Sequence, residues 1–193
     1  PAALSTSTAA PTRASLRPRL GMKIAVFGRP GGGKSTLSLQ IAEATKLPLV
    51  QLDLVQYQRG GGKVPDEEFR RRHAEILAQE HWVLDGFGNP QAFAAMVQAA
   101  DVLVYVERPF LIHYWWVTKR LLMSPFTKPI GWPEGSPMLS STISGYRFLR
   151  RSPGFWNAAL KAKLLALHPE KRVYVVRKQS DVAALLAELG AGT

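Results

Sequence analysis

Cysteine is absent from the 193 residues, which excludes disulfides and any four-cysteine zinc lid and suits a reducing compartment such as the cytoplasm. No apolar run approaches the ~20 residues that a membrane span requires. The longest nearly apolar stretch, Pro109 to Val117, is broken by His113. The expectation is a soluble cytoplasmic protein, monomeric or homodimeric, with no membrane partner. Acids are scarce, with 14 Asp and Glu against 25 Lys and Arg for a formal net charge of +11. Two signatures are also missing. No Asn-Lys-x-Asp element of the guanine-reading kind occurs, which argues against a regulatory GTPase, and no Leu-Ser-Gly-Gly segment occurs, which argues against an ABC-type ATPase.

A core is affordable, because 46% of the residues are hydrophobic and the length suits one domain. Gly28 to Ser35 reads Gly-Arg-Pro-Gly-Gly-Gly-Lys-Ser and matches the phosphate-binding pattern G-x-x-x-x-G-K-[ST]. The context that the motif needs surrounds it: Lys23 to Phe27 has the apolar run of a buried strand, and Ser35 to Thr45 has apolar residues at helical spacing. Gly28, Gly31, Gly32 and Gly33 let the backbone curl until several N–H groups face one anion, and the following helix adds its positive end. The pattern points to ATP or GTP. Lys34 is placed for the β and γ phosphates, the Ser35 hydroxyl for a magnesium ion, and Thr36 for the α-phosphate side.

Residues 1–21 contain Arg13, Arg17 and Arg19 among Ser, Thr, Ala and Pro, with no acid. They read as a disordered arm, by composition either a targeting segment or residues upstream of a start at Met22. The domain is expected over 22–193. Beyond the loop, Leu49–Leu52, Trp82–Leu84, Val102–Val106 and Val173–Val176 read as buried strands, alternating with helical patterns over Asp66–Gln79, Gln91–Ala99, Pro109–Met123 and Asp181–Leu189. Ser180 is the expected N-cap of the last helix and Gly190 its stop. Such alternation predicts an α/β fold, a parallel sheet with helices on both faces and ligand at the carboxyl ends of the strands. Two acids fall there. Asp85 is a candidate magnesium ligand, and Asp53 a candidate acceptor of a substrate hydroxyl proton.

The excess positive charge is local. Arg108 to Lys163 holds nine basic residues and a single acid, Glu134, while the remainder outside the arm is balanced. Ser124 to Pro153 is rich in Pro, Gly and Ser without a long periodic run, so a mobile basic lid is expected at about 124–153. Arg120, Lys128, Arg147, Arg150 and Arg151 are its candidate phosphate clamps. The aromatic residues interleaved with this charge also suit nucleic acid. Trp115 and Trp116 lie in a stretch apolar nearly all round, which predicts a core position, whereas Trp132 is left as a candidate stacking residue.

Met22 to Gly28 running into the phosphate loop, Gln51-Leu52-Asp53, Trp82-Val83-Leu84-Asp85-Gly86, Glu107-Arg108-Pro109 and Lys119-Arg120 together resemble the adenylate-kinase-like P-loop proteins of the DNA topology modulation family. The likeness covers nearly everything after Met22. It implies a three-layer P-loop NTPase fold of the nucleotide kinase type, with a five-stranded parallel sheet and an inserted lid, in which Lys34, Ser35, Asp85 and Arg120 match motif positions. Leu84-Asp85-Gly86-Phe87 also resembles adenylate kinase, but Gly88-Asn89 follows where adenylate kinases carry Pro-Arg. The arginine implied for an acceptor nucleotide is missing. Phe110 and Trp116 likewise stand where the family often has arginine. The expected activity is phosphoryl transfer from Mg-ATP to an unidentified small molecule near Asp53 and Arg59, and the alternative is a P-loop ATPase directed at nucleic acid.

Overall fold

The computed structural model describes residues 21–126 and 134–191. Its five strands are β1 (Lys23–Gly28), β2 (Leu49–Gln51), β3 (Trp82–Asp85), β4 (Val102–Val106) and β5 (Arg172–Val176). They form one parallel sheet in the order β2-β3-β1-β4-β5. Parallel neighbours need long crossovers, and helices supply them. Helix α1 (Lys34–Thr45) follows β1; α2 (Leu52–Gln56) and α3 (Asp66–Ala78) follow β2; α4 (Pro90–Ala99) follows β3. Helices α5 (Phe110–Met123), α6 (Met138–Arg151) and α7 (Ala158–Leu167) lie between β4 and β5, and α8 (Gln179–Gly190) comes last.

Alternation along the strands divides the core into two layers. Ile24 and Val26 of β1, with Val83, Val102 and Val104, face Leu37 and Ile41 of α1 and Val182, Leu185 and Leu189 of α8. Ala25 and Phe27, with Trp82, Leu84, Leu103 and Tyr105, face Phe69, Phe93, Met96 and Trp156 on the other side. Phe27 is the centre of that second layer, stacked on Tyr105 and Trp156 and meeting Phe93 edge-on. Both faces are covered, which is why the strands read as continuous apolar runs.

Three expectations need correction. Trp115 and Trp116 are not core residues: they are 62% and 49% exposed, because α5 buries His113 and Val117 and turns its aromatic side outward. The segment expected to be irregular contains the 14-residue α6. That helix buries Thr142 and Leu149 and sets Gly145 against Val117, while Leu139 and Ile143 stay outside, so its apolar residues are split between two sides. The last helix starts at Gln179, not after a Ser180 cap. The Asp181 carboxylate accepts from the N–H groups of Arg177 and Lys178 at 2.8 and 3.1 Å, and Gly190 is the final helical residue. Lys128, Trp132 and the arm up to Leu20 lie outside the described residues.

Candidate active site

Register sets the site. Across the sheet Gln51 of β2 pairs with Asp85 of β3, and Asp85 with Val26 of β1, so the carboxyl ends of these strands end level beside the phosphate loop. The loop itself is built from tight approaches. Gly28 has φ +145° and lies so near β4 that a Cβ would fall 2.4 Å from the Val106 carbonyl oxygen. A Cβ on Gly31, at φ +69°, would sit 2.7 Å from the His113 carbonyl oxygen. Gly33, at φ +83°, is the N-cap of α1 and has open space where its Cβ would be. That open side, at a helix N-terminus, is where an anion would rest.

Lys34 is the first residue of α1, and its Nζ donates to the Arg29 carbonyl at 3.0 Å, so the side chain folds back over the loop. Burial pushes its pKa down, while Asp85 and then Asp53 pull it back up. Asp85, at the end of β3, is buried, and burial raises its carboxyl above the usual range. Lys34 and the hydroxyl of Ser35 oppose that shift. Asp53 opens the first turn of α2. Its side chain is exposed, yet desolvation by its neighbours raises its carboxyl against the pull of Lys34 and Arg120. Solvent at the exposed side chain limits the rise. Arg120 reaches toward Asp53 from α5, and burial lowers its guanidinium pKa against that attraction.

The structure therefore brings Lys34, Ser35, Asp53, Asp85 and Arg120 into one electrostatically connected cluster. Gly28, Gly31, Gly32 and Gly33 form the loop beside it, and Thr36 lies exposed in the first turn of α1. It does not bring Arg147, Arg150 or Arg151 there. All three are exposed on α6 and make no ion pair among the described residues. Arg59 is also diverted, to Glu134 at 3.0 Å, and the Gly60 N–H donates to the Glu134 carbonyl at 2.6 Å. The loop after α2, closed by the Tyr57–Lys63 bridge, is thus tied to the segment preceding α6.

Two contributors escape sequence reasoning. His113 is fully buried, with Nδ1 2.8 Å from the Pro30 carbonyl oxygen and its ring against Gly32, so α5 is pinned to the phosphate loop. The signal was the single polar residue in an apolar run. Arg29, in a variable position of the motif, donates to the Trp156 carbonyl and lies 5.5 Å from the Phe110 ring centroid. No sequence signal distinguishes it from a solvated arginine.

The residues fit a small divalent cation. Asp85 Oδ1 is buried without a hydrogen-bond partner, and the Ser35 hydroxyl acts on the same carboxylate. Among the described residues no group of three or more His, Cys, Asp or Glu converges. A site made of one carboxylate and one hydroxyl suits magnesium, which keeps waters and shares substrate phosphates.

No protein-family model matches the chain, and no curated protein matches it. Solved structures do. A shikimate kinase from Bacteroides thetaiotaomicron superposes with a TM-score of 0.53 at 15% identity, over 88% of this chain and 97% of that one. A putative kinase from Chloroflexus aurantiacus gives 0.50 at 15% identity, over 91% and 100%. A gluconokinase from Sinorhizobium meliloti gives 0.49 at 17% identity, over 90% and 92%. The chain shares its α/β fold with the first two of these kinases and builds it on a five-stranded parallel sheet.

Proposed function

We propose that the protein is an ATP-dependent phosphotransferase acting on a small-molecule acceptor. The observation that carries this reading is the convergence of Lys34, Asp85, Asp53 and Arg120 on one cleft beside the phosphate loop, coupled electrostatically although they come from four separate elements. The triphosphate would lie on the N–H groups of Gly31 to Ser35, with Lys34 at its β and γ phosphates. Ser35 and Asp85 would hold magnesium, which supplies neutralisation of phosphate charge.

The acceptor hydroxyl would enter beside Asp53. Its oxygen forms the new bond to the γ-phosphorus as the bond from that phosphorus to the β–γ bridging oxygen breaks, and ADP leaves. The hydroxyl proton passes to Asp53, whose raised pKa makes it a better base than an ordinary carboxylate. Arg120 faces Asp53 across the cleft and meets the charge of the transferring group.

The missing arginine after Gly88 disfavours a nucleotide acceptor, and the shikimate kinase that superposes on the chain is named for a small-molecule acceptor. The finer likeness to the DNA topology modulation family supports the second reading, an ATPase directed at nucleic acid. The exposed Arg147, Arg150 and Arg151 favour it as well. A screen of hydroxyl-bearing acceptors with labelled ATP separates the two. Label transferred to a small molecule supports the kinase. Release of phosphate stimulated only by oligonucleotide, with no labelled acceptor, rejects it.

A further inference from the structure

Helix α5 has two sides. One carries His113 and Arg120 toward the cleft, and the other is apolar and uncovered. Leu111, Trp115 and Leu122 fall within a sector of about 40° of the helix. They are 80%, 62% and 63% exposed, and Phe126, just past the helix, is 81% exposed. Trp116 lies on the flank of the helix, about 100° round from Trp115, with the Lys119 ammonium 5.1 Å from its ring centroid. Among the described residues nothing packs on this side. Contiguous apolar surface of this kind on a folded domain marks an interaction site.

Charge and chemistry select the occupant. The segment from Arg108 to Lys163 that carries this face has nine basic residues and one acid, and that acid, Glu134, is engaged by Arg59. The neighbouring α6 repeats the combination, with exposed Leu139 and Ile143 followed on the same stripe by exposed Arg147 and Arg150. A second copy would bring two like-charged surfaces together. Nucleic acid would use the tryptophans for stacking, but Leu111, Leu122 and Leu139 have no ring to offer a base. An anionic bilayer matches both features: aliphatic side chains and Trp enter the acyl boundary while Lys and Arg remain at the headgroups.

We propose that the outward face of α5 docks the protein on the surface of an anionic phospholipid bilayer. The contact is peripheral, since no helix among the described residues is long and apolar enough to cross a membrane. It does not depend on the phosphotransfer reading, because none of its apolar residues belongs to the cleft.

The test uses the full chain with two vesicle preparations, pure phosphatidylcholine and phosphatidylcholine containing about one-third phosphatidylserine. Co-sedimentation is expected with the anionic vesicles, together with quenching of tryptophan fluorescence by brominated acyl chains. The triple variant L111Q/W115Q/L122Q should lower the partition coefficient by about tenfold or more. Glutamine keeps helix propensity at exposed positions, and an unchanged melting curve with an unchanged ATP-dependent thermal shift verifies the fold. If the triple variant melts early, Leu111→Gln alone is read, with a smaller loss expected. The proposal is overturned by absence of vesicle binding, by adsorption without quenching, or by binding that survives the triple substitution. It is equally overturned if sedimentation finds a wild-type dimer that the variant dissociates.

Discussion

At the scale of single residues, the phosphate loop and the acids beside it make separable predictions. Lys34→Ala removes the cation proposed to face the phosphates, so turnover should fall by about 10²-fold or more, read in a steady-state ATP assay. Asp53→Asn should lower kcat by roughly 10²–10⁴-fold while the ATP-dependent thermal shift persists, because a proton acceptor acts on transfer rather than on nucleotide binding. Equal loss of kcat and of nucleotide binding would move Asp53 out of that role. Gly28→Ala tests the loop's backbone: a methyl placed 2.4 Å from the Val106 oxygen, at φ +145°, should cost about 2–5 kcal/mol in a urea titration. The candidate cluster was largely legible in the sequence, since the loop motif and the ends of two apolar runs name Lys34, Ser35, Asp53 and Asp85. Arg29 and the buried environment of Arg120 were not. Their places depend on a hydrogen bond to Trp156 and on the field of Asp53, 127 and 67 positions away, and no local pattern encodes such distances.

At the scale of elements, the strands and most helices follow from periodicity, and the failures share one cause. Helices α5 and α6 bury one aliphatic residue each, Val117 and Leu149, beside the polar His113 and Thr142, and leave most of their large apolar side chains outward, which weakens the usual relation between hydropathy and burial. A stretch apolar on nearly every side reads as buried, and a helix whose inner face is Thr142, Gly145, Tyr146 and Leu149, with Leu139 and Ile143 outside, does not show its buried side by hydropathy alone. The two are nonetheless joined firmly. Tyr114 stacks on Tyr146 with centroids 5.7 Å apart, and the Thr118 hydroxyl meets the Tyr146 phenol. Tyr146→Ala should therefore loosen the pair, raising amide hydrogen exchange in α5 and α6 while β1 to β4 stay protected. Arg120→Ala should lower turnover by about 10²–10³-fold with nucleotide binding intact if, as proposed, its charge meets the transferring group rather than the loop. Loss of ATP binding in that variant would instead assign Arg120 to the nucleotide site.

At the scale of the whole molecule, stability should depend on pH through two histidines held neutral by burial. His73 stacks on Phe69 and His113 bonds to Pro30, and in both burial lowers the pKa below 6.5. Below that value the unfolded chain takes up protons that the folded chain refuses, so stability is full above pH 6.5 and declines as pH falls beneath it. The melting temperature should be lower at pH 5.5 than at 7.5, and His73→Phe should reduce that difference. The raised carboxyls of Asp53 and Asp85 act with the opposite sign, so the comparison of variant with parent isolates the histidine. His113 has a mechanical consequence as well. Bolted to Pro30 by its ring and braced against Gly31 by its carbonyl, it makes the phosphate loop a fulcrum and α5 a lever. Arg120 lies seven residues along the arm, about 10 Å at 1.5 Å per residue, so a tilt of roughly 10° carries it about 2 Å. That stroke spans the difference between a hydrogen-bonded contact and one separated by solvent.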